Sequence, residues 1–243
     1  TTPFANANND GNYTLDKWVL LSDGNDVVDV AQTSSDVPTG SQNAIELEVE
    51  TANKKFGIVQ FIENINCESI INQEVTVSFQ AQATTNLDDV RVGIISWAGT
   101  EDAPTKDIIN SWEAEGSNPT LVTNFAFENT PADLNVTTSF AKYSVTATTD
   151  LSSAKNVAVF IWSNVTGTTA GTDKLHIGQV QLEKASSASN FSFTNYSDQF
   201  LKCARYFRGW LETSDDSANQ SAIATGHNVG GTSSRIQLFN PVP

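Results

Sequence analysis

The sequence predicts an all-β fold: a β-sandwich carrying a short inserted helix, then a short helix and a small, partial β segment at the C-terminal end. Three observations predict it. About ten β-rich runs follow one another at short intervals, separated by Gly, Asn, Asp and Pro turn chemistry, as in sandwiches and barrels. Ala44–Glu50 alternates strictly, with Ile45, Leu47 and Val49 set against Glu46, Glu48 and Glu50, the period of two expected of a strand with one wet face. Asn156–Trp162 is almost continuously apolar, which marks a central strand covered on both faces.

Residues 1–11 are small, polar and rich in Asn, and read as an arm or linker. The sandwich is expected over residues 12–184. It opens with Tyr13–Leu21, turns at Ser22–Asn25, continues through Val27–Ala31 and breaks at Pro38-Thr-Gly40. Ala44–Glu50 follows, its three glutamates expected in solvent. Phe56–Ile62, Glu74–Ala81 and Val90–Trp97 read as further strands. Between Gly99 and Val122 lies a long insertion in which Ile108, Ile109 and Trp112 recur at helical spacing and Gly116–Pro119 ends the run, so a short surface helix and loop are expected there. Loops of that length on a sandwich rim often carry function, and as often cover a sheet end. Phe140–Thr146, Asn156–Trp162 and Lys174–Leu182 complete the sandwich.

Residues 185–205 read as a small-residue spacer, Ala185–Ser189, and a helix of about two turns. Ser197 is its expected N-cap, with Asp198 in the first turn and Phe200, Leu201 and Ala204 on the apolar face. Strands are expected at Tyr206–Leu211, near Ile223 and at Arg235–Phe239. Residues 206–243 then look like the start of a second β-unit, because two or three strands cannot bury both their faces alone. The chain has no methionine, so a processed product or a segment of a longer polypeptide is expected.

Composition excludes several classes of function. The formal charge is −15, and the 13 basic residues are scattered, which argues against a nucleic-acid partner because phosphate binding needs clustered Lys and Arg. No apolar run approaches the roughly 18 residues of a membrane span. Cys67 and Cys203 are too few for a disulfide framework and lack metal-ligand spacing, so two buried, reduced thiols are expected. There is no Gly-x-x-x-x-Gly-Lys phosphate loop, and Gly226–Gly231 reads as a loop without strand-helix context. His176 and His227 are the only imidazoles, and no Gly-x-Ser-x-Gly elbow accompanies them; His176 is expected to be structural.

Two carboxylates suffice for glycan cleavage. Asp88 and Asp89, Glu113 and Glu115, Asp215 and Asp216 and the Glu46 row supply the residue type, but in turns, on a helix rim and on a solvated strand face, so no catalytic residue is assigned and no cofactor is expected. No metal site is assigned either; Asp23 and Asp26, near Asp29, offer oxygen ligands for Ca²⁺ without the full loop pattern, and an Asx turn explains them as well. Aromatics are the better lead. Trp97, Trp112 and Trp162 fall at strand ends or in the insertion, where tryptophan faces stack on sugar rings and side chains such as Asn164 bond hydroxyls. Core packing is the competing role.

The stretches Trp18–Gly24, Asp36–Gly40, Asn53–Gly57, Asn118–Val122, Glu128–Pro131, Ala158–Ser163 and Val180–Glu183, followed by Phe191, Leu201, Cys203, Arg205, Tyr206 and Phe207, resemble the jelly-roll modules of tailed-phage tail-fibre and related virion proteins, which are themselves similar to carbohydrate-binding β-sandwiches. The likeness spans about residues 12–207. Ala185 and Asn190 stand where relatives carry Gly and Pro, and Gly178-Gln179 stands where calcium-binding modules often carry Asp. The resemblance implies a jelly-roll β-sandwich in a non-enzymatic component of an extracellular virion, on a fibre, tail or head appendage. Its implied partners are its own copies in a homotrimer, other virion proteins and host-surface glycans. Phe191, Tyr196, Leu201, Tyr206 and Phe207 are the implied oligomer seam. A purely structural connector is the alternative function, and a glycan depolymerase a third.

Overall fold

The β-rich runs become strands where their two faces find apolar cover. The computed structural model describes residues 8–150, 153–195 and 197–198, with backbone strands at Thr2–Pro3, Gly226–Asn228 and Ser234–Ile236. One sheet has the order β1 (Thr2–Pro3), β3 (Val28–Thr33), β4 (Ala44–Val49), β13 (Lys174–Glu183), β6 (Glu74–Ala83) and β11 (Ala141–Thr148). The other runs β10 (Phe125–Phe127), β7 (Val90–Trp97), β12 (Asn156–Ser163), β5 (Phe56–Ile62) and β2 (Val19–Ser22). Every pairing within them is antiparallel. The chain crosses between the sheets from β1 to β2, β2 to β3, β4 to β5, β5 to β6, β6 to β7, β10 to β11, β11 to β12 and β12 to β13, so the expected jelly-roll sandwich is what forms.

The core between the sheets uses alternate residues of each strand. Leu47 and Val49, Val75, Val77 and Phe79, Val92 and Ile94, Val157, Val159 and Ile161, and Leu175 and Ile177 all belong to it. The intervening residues of β12, namely Ala158, Phe160 and Trp162, point the other way into a second apolar layer with Val19, Leu21, Val59, Ile95, Trp97, Ile108, Ile109 and Phe125. That second layer is why β12 is buried at every position, as its sequence predicted. Gly57 lets β5 and β12 pack closely: a Cβ there would lie 2.5 Å from Ile161 O and from the Trp162 Cβ.

Three expectations need correction. The insertion after Gly99 holds no helix; Ile109–Ser111 (β8) pairs with Thr120–Leu121 (β9) in a short ribbon laid over the second apolar layer. Ile108 and Ile109 are buried there because they face a sheet, which an extended segment does as well as a helix. The short α-helix lies instead at Asn64–Cys67, between β5 and β6. Glu46 does not share solvent with Glu50: it is 5% exposed, because β4 is flanked by β3 and β13 and the register sets it opposite His176. Finally, Tyr13–Leu21 is not one strand, since a 3-10 turn at Leu15–Lys17 separates Tyr13 from β2.

The chain divides into two compact units, Thr1–Ser192 and Phe193–Pro243. In the second, Asn195 Oδ1 accepts the Asp198 backbone N–H at 2.9 Å and Asn195 Nδ2 donates to Asp198 Oδ2 at 2.8 Å, so Asn195 makes the capping contact expected of Ser197. Gly226–Asn228 (β14) pairs antiparallel with Ser234–Ile236 (β15), so the first half of Gly226–Gly231 is strand rather than loop, its glycine and polar residues stabilised by ladder pairing. Phe200, Leu201, Cys203, Ala204, Tyr206–Leu211 and Ile223 lie outside the described residues.

Candidate functional site

Trp97, Trp112 and Trp162 share one layer on the outer side of the five-stranded sheet. Trp162 is fully buried, stacked on Phe160 at 4.6 Å between centroids with planes 11° apart. Trp97 is 8% exposed, lies 4.5 Å from Phe125 and donates its indole N–H to Thr100 O at 2.8 Å. Trp112 is half-buried, 6.1 Å from Phe160. Trp162 is fully buried, and the excursion from Gly99 to Val122 packs over the outer face of that sheet.

A buried lysine holds that cover down. Lys55, on the approach to β5, is 1% exposed, and its ammonium donates to Trp112 O at 3.1 Å, Ala114 O at 2.8 Å, Ser117 O at 3.3 Å and Asn164 Oδ1 at 2.7 Å. Asn164, fully buried, completes the clamp by donating to Asp89 Oδ2 at 3.0 Å. Asp89 accepts both Arg91 Nε at 2.8 Å and Nη2 at 2.9 Å, and Arg91 Nη1 reaches Asn118 Oδ1 at 2.8 Å on the excursion. Burial pushes the Lys55 pKa down, helped by the Arg91 charge. Burial works to raise the Asp89 pKa, but hydrogen bonds from Arg91 and Asn164 and the Arg91 and Lys55 charges hold it below the usual carboxylate range. Glu115 accepts both the backbone N–H of Thr166, at 2.8 Å, and its hydroxyl. Asn164, Asp89 and Glu115 are thus fasteners of the excursion.

An exposed aromatic ring lies elsewhere on the sandwich. A cleft of about 640 Å³ opens between the segment at Tyr13–Lys17, the end of β5 at Phe61–Glu63 and the excursion at Asp102–Lys106, with Asn156 on its wall. Tyr13 is 55% exposed, and the Lys106 ammonium sits 4.3 Å from its ring centroid. Phe61 is half-buried beside it. Asp102 has φ +52°, a left-handed conformation uncommon outside Gly, and is fixed from both sides. Its N–H donates to Asn156 Oδ1 at 3.0 Å, while its Oδ1 accepts Asn156 Nδ2 at 2.6 Å and Asn64 N at 2.8 Å. Lys17 and Glu63 approach to 3.7 Å. An exposed ring, a preset carboxylate and ammonium donors form the polar-and-aromatic arrangement that holds a polyhydroxylated ring. In the sequence Tyr13 gives no sign of its exposure, because Tyr13–Leu21 reads as one strand; the turn that presents it is set by Lys17, which has φ +65°.

A second cleft of about 380 Å³ lies against the six-stranded sheet, lined by Asp36, Gln82, Thr84, Lys174 and His176 among others. His176 Nε2 and Glu46 Oε2 are 2.9 Å apart, and Lys174 reaches Glu46 at 3.5 Å and Glu48 at 2.7 Å, so His176 sits in a cross-strand charge cluster. Among the calcium candidates, Asp23 pairs with Lys54 at 3.2 Å and Asp26 accepts Asn8 Nδ2 at 2.6 Å. Among the described residues no group of three or more His, Cys, Asp or Glu is placed to hold a metal ion. Cys67 is a free, buried thiol whose pKa burial pushes up to about 11. Phe191 is half-buried, while Tyr196, Leu201, Tyr206 and Phe207 lie outside the described residues. Among the described residues no helix is long and apolar enough to cross a membrane.

No family model matches the sequence, and no curated protein matches it. Among solved structures, the enzymatically active domain of tailspike protein 4 from bacteriophage CBA120 aligns over 73% of this chain and 21% of its own, with 17% identity and a TM-score of 0.45. The chain therefore spans only about a fifth of that protein's length. The CBM22-1 xylan-binding domain of Xyn10C from Paenibacillus barcinonensis aligns over 73% of this chain and 92% of its own, with 9% identity and a TM-score of 0.42. A carbohydrate-binding module of the β-sandwich superfamily, studied for promiscuous specificity, aligns over 70% of this chain and 58% of its own, with 9% identity and a TM-score of 0.47. These three neighbours are two carbohydrate-binding modules and a phage tailspike domain, and at these values the likeness carries no argument about function.

Proposed function

We propose that this chain is a non-enzymatic module of a phage virion appendage that attaches to host-surface glycans, and that the Tyr13 cleft is where the glycan binds. One observation carries the choice of site: Tyr13 is 55% exposed in a cleft with a preset carboxylate, whereas Trp162 and Trp97 are sealed under the excursion. The sequence resemblance to tail-fibre modules supports the virion setting. Display as a homotrimer alongside other virion proteins would add avidity, since each further site engages at high effective concentration.

Immobilised host glycans probed with the purified 243-residue chain test the reading. Wild type binds, and Tyr13→Ala and Asp102→Ala each lose binding while Tyr13→Ala keeps the wild-type melting temperature. Binding that survives both substitutions removes the site, and release of reducing ends from the glycan would make the protein a depolymerase. A purely structural connector is the second reading, favoured by the covering of the outer sheet face by the chain's own excursion. It predicts that no glycan is retained at all.

A further inference from the structure

We infer that the Tyr13 cleft selects acidic saccharides, those bearing a carboxylate on the sugar ring, through Lys106. The inference rests on the glycan-binding reading above and adds the charge class of the ligand. Acidic residues outnumber basic ones in this chain by 28 to 13. An ammonium beside an exposed aromatic ring is therefore an uncommon feature of this surface. The other charged groups of the cleft are already engaged. Lys17 approaches Glu63, and the Asp102 carboxylate takes the amide N–H groups of Asn64 and Asn156. Lys106 pairs with no carboxylate among the described residues; its contact is the Tyr13 ring, at 4.3 Å from the centroid.

A cation–π contact of this kind is modest at an exposed site, and it leaves the ammonium protons free to donate to a stronger acceptor. A pyranose laid against Tyr13 meets that positive charge alongside it, and a ring carboxylate supplies the acceptor for a charge-assisted hydrogen bond. A neutral sugar in the same place meets the ammonium with hydroxyls alone. The net charge of −15 repels a polyanion at long range, but at physiological salt that repulsion is screened within about 8 Å, whereas the contact at Lys106 is short-ranged. Selection for the acidic sugar thus comes from the cleft, against the field of the whole protein.

The experiment compares matched polymers. Alginate and polygalacturonate are each presented beside their carboxyl-reduced forms, which keep the backbone and linkages and lose only the charge, at about 0.15 M salt. The full chain is expected to bind at least one uronate about tenfold more tightly than its reduced form, and Lys106→Gln to erase that ratio while Lys106→Arg retains it. Equal binding of the two forms, tighter binding of the reduced form, or a ratio that survives Lys106→Gln overturns the charge inference and leaves the glycan-binding reading standing. Binding to neutral host glycans but to neither uronate does the same. Retention of no glycan of either kind overturns both.

Discussion

Replacing Lys55 with Met removes the ammonium that clamps the excursion while keeping a long apolar stem in the same channel. Four oxygens lose a donor: three backbone carbonyls of the segment Trp112–Ser117 and Asn164 Oδ1. The Asn164 contact is fully buried, and stranding its oxygen costs about 1–3 kcal/mol. The three carbonyls are partly buried and recover some hydration, so each is set at the low end of a hydrogen bond's net worth, about 0.5 kcal/mol. Relief from desolvating a charge returns part of this, which leaves a net loss of about 3 kcal/mol. At roughly 2–4 °C per kcal/mol for a domain of this size, the melting temperature falls by about 6–12 °C. Loosening of the excursion also uncovers Trp112, so tryptophan emission shifts to the red before global unfolding. Thermal melts followed by circular dichroism and by fluorescence measure both. A shift of the melting temperature below about 2 °C with unchanged emission would refute the clamp, because a loop that loses the Lys55 bonds without consequence was not held by them.

Two further outcomes follow from the same packing. Asp89 has its pKa held below the usual carboxylate range in the folded protein, so it binds fewer protons folded than unfolded as the pH drops. Its contribution is complete above the unfolded value of about 3.9 and is lost as the pH falls through the lower folded value. Asp89→Asn should flatten that part of the acid-stability profile; an identical acid limb in the variant would count against the Arg91–Asp89 anchor. Gly57→Ala forces a Cβ to 2.5 Å from Ile161 O and the Trp162 Cβ, and should destabilise by about 1–3 kcal/mol in a urea melt. An unchanged midpoint would mean that β5 and β12 are less closely apposed than described.

The strands were legible in the sequence because their signal is local. A period of two in Ala44–Val49 and an unbroken apolar run in Asn156–Trp162 each mark an extended segment, and both strands form where expected. The helix expected after Gly99 failed for the same reason. Ile108, Ile109 and Trp112 fit one face of a helix, yet a segment that crosses a sheet needs only intermittent apolar residues to cover it. Glu46, Glu48 and Glu50 share a face by periodicity, but only Glu46 has His176 across the ladder, so only Glu46 is buried.

By itself, then, the sequence determined the all-β class, the positions of most strands and the doubly covered centre, because side-chain alternation is a property of neighbours along the chain. The tertiary structure alone decided that Tyr13 stays open and Trp162 does not. Tyr13 is exposed by a 3-10 turn, and Trp162 is sealed by a lysine bonded to an asparagine 109 residues away. Whether a tryptophan is a platform or a packing element depends on what crosses over it, and those contacts have no period in the sequence for any pattern to reveal.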